Sequence, residues 1–359
     1  MKKFESVYGI KHSPIYIYSP IWTSASAGIR ALHFLCHALN YHGFPSYLIL
    51  ATNASKGYSP VNSELITPVL TQEMADEHFR ANKKPITIYS ETIPGNPLNA
   101  QFVVRYLMNF VGDLGGPKSY SDQDFILSYS RNISEDFRIK TGRSVDAELF
   151  LPAIDPREFI EEESSKKGNH YLLYAGKYRA LHGKPPEVNK PELIEIRRDG
   201  RHAQSRQELI ELIKSAKAVI SVENSSIITE AVLAGTPGLF LPNDTLKSAI
   251  AEHELGWGGT AWGIEHDSEA QARASLQKGK EVYFERISDF ISALHPLVST
   301  LYTKSSAVDY SSKIRVPQNK RLVNRHRLYL ARQIIASSGV KTFLMVLRNF
   351  MRRRLAKRF

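Results

Sequence analysis

The sequence predicts an α/β fold built as two doubly wound halves, and three observations carry that reading. Short apolar runs of strand length alternate with segments of helical period, the pattern of a parallel sheet with crossover helices. The alternation stops between residues 152 and 168, where Pro152, Pro156 and the charged run "EEESSKKGN" intervene, and then it begins again. At 359 residues the chain is long for a single core and sufficient for two. The expected boundaries are 1–155 and 156–315, followed by a tail, 316–359, of different composition.

In the first half, "PIYIYSPIW" reads as a strand and leads to a helix from about Gly28 to Tyr41. The runs "SYLIL", "ITPVL" and "ITIYS" read as strands, the segment from about Leu98 to Phe110 as a helix, and "FILSYS" as another strand. In the second half, "HYLLYAG" is followed by a polar, Pro-rich connection. The helix "SRQELIELIKSA", the strand "AVISV", the helix "SSIITEAVLAG" and the strand "GLFLP" complete the series.

Composition narrows the class. One cysteine, Cys36, leaves no intrachain disulfide framework, and no run approaches the roughly 20 apolar residues that span a bilayer. The opening "MKKFESVYGIKHSP" has no apolar signal-peptide core, so a cytoplasmic protein is expected. The net charge is +11, yet twelve Lys or Arg and no acid lie between Lys320 and Phe359, leaving the rest of the chain at −1. Basicity is therefore a property of the tail, and no nucleic-acid partner is expected. Within the tail, Val340, Phe343, Leu344, Leu347, Phe350 and Met351 share one helical arc, with Lys341, Arg348 and Arg352 opposite. With Arg353 and Arg354 this is an amphipathic, polybasic segment suited to an anionic membrane surface, at about 1 kcal/mol per basic residue. The rival roles are a helix packed back on the N-terminal domain and a nucleic-acid arm.

Several residues carry possible chemistry. In "SPIWTSASAG" the small residues Ser24 to Gly28 let a backbone approach a ligand, and the following helix offers free N–H groups to an anion. On that helix Arg30, His33, His37 and Asn40 lie on one side, a stripe that is solvated or faces a cleft. His33 and His37 have metal-ligand spacing but no adjacent Glu and no third ligand, so no metal is assigned. Ser90 and Glu91 fall at the C-terminal end of a strand, where open α/β sheets bind ligands, and Glu91 is a candidate base or hydroxyl anchor for an acceptor. Asp122 and Asp124 precede an apolar run and are assigned to a turn or strand entry. Lys177, Arg179 and Lys184 follow a strand and suit a diphosphate, or belong to an ordinary basic loop. Glu223 stands just past "AVISV", and the capping loop Asn224, Ser225, Ser226 follows. Glu230 is the only charge on an otherwise apolar helix. Burying it unpaired would cost several kcal/mol, so protein groups or a ligand's hydroxyls must donate to it.

Taken together, the small-residue turn, "FLPAIDPREF", "YAGKYRALHGK" and "ENSSIITEAVLAGTP" resemble the GT-B glycosyltransferases, specifically the group 1, family-four-like enzymes. The resemblance implies two Rossmann-like domains facing a cleft, a C-terminal segment that crosses back, a nucleotide-sugar donor as substrate and no metal cofactor. It implies that Glu230 holds the donor ribose, that Glu223 and the amides of Asn224, Ser225 and Ser226 lie near the donor sugar or phosphates, and that Lys177 and Lys184 take the diphosphate. The chain departs from the family in three places. One residue fewer separates the two glutamates, Lys177 replaces an Arg, and Ser90-Glu91 stands where His-Asp is common. The implied activity is retaining transfer of a hexose to a saccharide or lipid-linked glycan in O-antigen- or capsule-type (lipopolysaccharide) assembly. It would take place on the inner face of the cell membrane. A sugar-nucleotide epimerase or hydrolase and a non-catalytic membrane scaffold are the alternatives on the same fold.

Overall fold

The computed structural model of the chain describes residues 12–51, 59–113, 116–159, 168–198, 202–244, 246 and 248–317. The tail residues Lys341, Arg348, Phe350, Met351, Arg352, Arg353 and Arg354 lie outside them. Two compact units are present. The first runs through Ala153 and resumes at Phe290, and the second begins at Ile154.

The first unit holds a six-stranded sheet: β1 (Ile15–Ser19), β2 (Ser46–Leu50), β3 (Ile86–Ser90), β4 (Val103–Leu107), β5 (Phe125–Ser128) and β6 (Ala147–Glu148). The strands lie in the order β2-β1-β3-β4-β5-β6, and every pair is parallel. Alternation along the strands divides the core. Ile15, Ile17, Ile86, Ile88, Val104 and Tyr106 face helix α1 (Ala27–Tyr41), whose Leu32, Leu35 and Leu39 are buried against them. On the other side Tyr16, Tyr18, Tyr89 and Val103 pack with Ala75 of α2 (Gln72–Arg80) and with Leu98, Ala100 and Ile314. Helix α3 (Arg131–Thr141) joins β5 to β6.

The second unit holds β7 (Tyr171–Tyr174), β8 (Leu193–Ile196), β9 (Ala218–Ser221), β10 (Gly238–Phe240) and β11 (Thr260–Trp262), in the order β11-β10-β9-β7-β8 and all parallel. Its helices are α4 (Gly176–His182), α5 (Arg206–Ser215), α6 (Ile227–Leu233), α7 (Ala251–Leu255) and α8 (His266–Ala274). The α/β class with two Rossmann-like, doubly wound units is what the alternating pattern predicts.

Three local expectations are corrected. The segment expected to be a helix over Leu98 to Phe110 contains β4, five consecutive buried residues. A strand buried on both faces reads as a continuous apolar run, and Leu98, Phe102, Tyr106 and Phe110 mimic helical spacing by accident. "ITPVL" forms only an isolated bridge, Leu48 to Val69, because Pro68 has no N–H to give a ladder. The return to the first unit comes at Phe290, within helix α9 (Leu276–Ser306), and not after residue 315. Leu294, Leu297, Val298 and Leu301 of that helix belong to the first unit's core, each buried Leu favouring this course by about 1.5–3 kcal/mol.

Candidate functional site

In each sheet the chain moves outward from its first strand to an edge and then returns to the first strand's other side. The connections on the two sides diverge and leave a crevice at the strands' C-terminal ends. In the second unit that switch point lies between β7 and β9, in the first between β1 and β3. Glu91 follows β3 and Glu223 follows β9, so each stands at one of these two places.

At the second unit's switch point, Glu223 is buried just after β9. Its Oε2 accepts from the Lys177 amide at 2.6 Å and from the Tyr178 amide at 2.9 Å. These are N–H groups of the first turn of α4, whose N-cap residue Ala175 has no capping side chain. Glu223 therefore supplies the cap from a neighbouring strand. Its Oε1 is buried and has no hydrogen-bond partner among the described residues. Burial pushes the Glu223 carboxyl above the usual carboxylate range, against the opposing pull of Lys177, the two amides and Arg198.

Glu230, on α6, is fully buried and its donors are protein groups. Arg206 Nη1 reaches Oε2 at 2.5 Å, Ser226 Oγ donates to Oε1 at 2.9 Å, and Arg198 Nη2 lies 3.5 Å from both oxygens. Of the two kinds of donor the sequence leaves open, protein groups are present: the half-buried Arg206, Arg198 and the Ser226 hydroxyl. Arg206 is set in place by the capping box of α5, Ser205 with Glu208, and is also paired with Glu158 at 2.7 Å. Arg198 lies over the ring of Tyr174, 5.5 Å from its centroid, and its buried Nε has no partner among the described residues. Burial raises the Tyr174 hydroxyl's pKa, Arg198 and Ser225 draw it down, and Glu223 and Glu230 push it further up.

The basic loop behaves unevenly. Lys177 is exposed and its Nζ donates to the Asn224 carbonyl at 2.9 Å. Lys184 is exposed, 3.5 Å from the equally exposed Glu187. Arg179, expected on the diphosphate, is held by both oxygens of Glu195, with Nε to Oε1 at 2.7 Å. The side chain of Asn224 is likewise spent inside the fold: it donates to the Ser248 carbonyl and accepts from the Ile250 amide, each at 2.9 Å. Ser225 Oγ accepts from the Ile227 amide at 3.4 Å.

At the first unit's switch point, Glu91 follows β3 and is buried. Its Oε2 accepts from the Met108 amide at 3.2 Å, and its carbonyl accepts from Tyr120 Oη at 2.9 Å. Ser90 Oγ is 2.9 Å from Thr92 Oγ1. Across the switch, Ser26 caps α1 by accepting from the Ile29 amide, and Gly28 lies exposed in the first turn with open space where a side chain would stand. The expected solvated stripe on α1 is corrected. His33 is fully buried, its Nε2 donating to the Pro20 carbonyl at 3.0 Å, and burial lowers its pKa. Arg30 is buried too, and reaches the Ser24 carbonyl at 3.4 Å. Both therefore shape the β1–α1 turn from beneath. Asp124 is in a buried ion pair with Arg105 at 2.7 Å, which fits its assignment to the strand entry.

The sequence reading missed Tyr174, Arg198, Arg206 and Arg105. The need of Glu230 for donors pointed toward cations, and the pair Arg197-Arg198 after a strand was the available sign. Nothing in the spacing marks Arg206 or Arg105. Among the described residues, no group of three His, Cys, Asp or Glu side chains is placed to hold a metal ion. A concavity of about 720 Å³ lies between α2, residues 97–99 and residues 312–315.

No protein-family model matches the chain, and no curated protein matches it. Among solved structures it is similar to an alpha-glucosyltransferase in complex with UDP and a 13-mer DNA containing an HMU base, at 12% identity over 94% of this chain and 99% of that one, with a TM-score of 0.41. It is similar to T4 phage BGT in complex with UDP-glucose, at 10% identity over 90% and 98% of the two chains, TM-score 0.42. The glycosyltransferase SnogD from Streptomyces nogalater is similar at 11% identity over 81% and 100%, TM-score 0.38.

Proposed function

We propose that the chain is a nucleotide-sugar-dependent glycosyltransferase of GT-B type. The observation that carries this reading is the second unit's switch point, where one polar cluster gathers the exposed Lys177, the capping carboxylate Glu223 and the Arg198–Tyr174 pair. Lys177 offsets charge on a donor diphosphate, and the unpartnered Glu223 Oε1 suits a sugar hydroxyl as donor. Glu230 serves by fixing Arg198 and Arg206 around that place. In the first unit Glu91 is the carboxylate offered to an acceptor hydroxyl.

The reading extends to a retaining hexosyltransferase that needs no metal and builds O-antigen- or capsule-type polysaccharide on a lipid-linked acceptor. It works in the cytoplasm, held to the inner membrane face by the basic tail. The tail's composition and its amphipathic arc support the membrane assignment.

The test is UDP release from UDP-glucose and related donors by the full chain, with and without EDTA. Three acceptor arms are a free saccharide, a lipid-linked saccharide, and duplex DNA bearing hydroxymethylated bases. Acceptor-dependent release with the lipid-linked saccharide, unchanged by EDTA, is expected. Release without any acceptor would mean a hydrolase, and a folded chain that binds no nucleotide sugar would sink the reading. Co-sedimentation with vesicles rich in anionic lipid, lost on deleting residues 340–359, checks the membrane assignment.

A further inference from the structure

The connection from β3 to β4, residues 91–102, joins two adjacent parallel strands without a helix. Parallel neighbours are usually bridged by one, whose backbone satisfies its own hydrogen bonds. Here the carbonyls of an irregular segment need outside donors, and one side chain provides several. Arg105, in the middle of β4 and 2% exposed, donates through Nη1 to the Ile93 carbonyl at 2.7 Å and through Nη2 to the Gly95 carbonyl. Its Nε donates to Asp124 at 2.7 Å. The guanidinium lies over the rings of Tyr89 and Tyr120, 4.8 and 5.4 Å from their centroids. Tyr89 Oη in turn donates to Asn96 Oδ1 at 3.0 Å, and Tyr120 Oη donates to the Glu91 carbonyl at 2.9 Å. At Gly116 a side chain would press on the backbone of Glu91 and Thr92, so that chain segment also lies close against them.

We propose that Arg105 is a positioning residue for the transfer reaction. It latches the β3–β4 connection from below, and so fixes the backbone of residues 91–95 and with it the direction of the Glu91 carboxylate. The planar, five-donor guanidinium is required because three acceptors, Ile93, Gly95 and Asp124, are bonded from three different nitrogens, and the single nitrogen of a Lys ammonium cannot reach them all. The functional half of this inference rests on the proposed glycosyltransferase reading, whereas the latch itself is measurable without it.

The experiment uses the full chain with Arg105→Lys and, because a buried Asp124 left alone could prevent folding, the double variant Arg105→Gln with Asp124→Asn. Hydrogen exchange of the peptide covering residues 91–102, UDP affinity, and kcat and KM for transfer are measured. Expected are at least about tenfold faster exchange confined to that peptide, UDP affinity within about twofold, and kcat down at least about tenfold. Unchanged exchange in a folded variant overturns the latch. Faster exchange with unchanged kcat overturns the positioning role. If neither variant folds, Arg105 is a folding residue and the inference fails. If the unaltered chain transfers no sugar, the glycosyltransferase reading fails while the exchange result still decides the latch.

Discussion

The Glu230 cluster allows a quantitative test. Arg206→Gln removes the closest cation, at 2.5 Å, from a carboxylate with no exposure. Breaking a buried pair by deleting one partner costs about 3–5 kcal/mol, because the remaining charge stays out of water. Arg198, at 3.5 Å, and the Ser226 hydroxyl remain, so the lower end applies, about 3 kcal/mol or roughly 150-fold in the folding equilibrium. Glu230→Gln in the same background removes the orphaned charge. The double variant should then lose about 2 kcal/mol less than the sum of the single losses. Urea unfolding followed by tryptophan fluorescence in a Trp22→Phe background reads the second unit, since Trp257 and Trp262 belong there. A loss below about 1 kcal/mol for Arg206→Gln, or additivity within about 0.5 kcal/mol, would falsify the claim that protein cations neutralise Glu230. A variant pair that is stable yet blind to UDP would instead return Glu230 to the ribose.

Three further outcomes are expected. Burial raises the Glu223 pKa, so the folded chain holds that proton more tightly than the unfolded one. Its contribution to stability is fully present below the ordinary value of 4.5 and is lost as pH rises through the raised value, so Glu223→Gln should flatten this fall. Parallel urea midpoints for both proteins across that window would contradict it. Lys177→Ala should weaken UDP binding about tenfold by calorimetry, whereas Arg179→Ala, its cation held by Glu195, should stay within about threefold and lower stability instead. Equal effects on UDP would show that Arg179 leaves Glu195 to bind the donor. At Gly279 a side chain would fall on the backbone of Gly258, so Gly279→Ala should cost about 2–3 kcal/mol in denaturant unfolding. Gly28→Ala, facing open space, should cost less than about 0.5 kcal/mol, and equal losses at the two glycines would be the refuting result.

The amino-acid sequence by itself determined the two parallel α/β units and the placement of Glu91 and Glu223 at strand ends. Strand alternation, turn residues and apolar period are local signals, and a doubly wound sheet turns a strand's C-terminal end into a crevice by topology alone. It also determined that Glu230 must find donors, because a carboxylate on an apolar helix has no other way to be buried. Tertiary structure alone decided which donors. Arg198 and Arg206 reach Glu230 from a strand end and a helix start 32 and 24 residues earlier in the chain, and Arg105 reaches back from β4 to the backbone of the connection that precedes it. Tertiary structure also shows the side chains of Arg179, Asn224 and His33 making contacts within the fold. A long polar side chain looks alike in sequence whether it meets a ligand or a neighbour. The difference depends on distances between residues remote in the chain, which fold packing sets and local periodicity does not record.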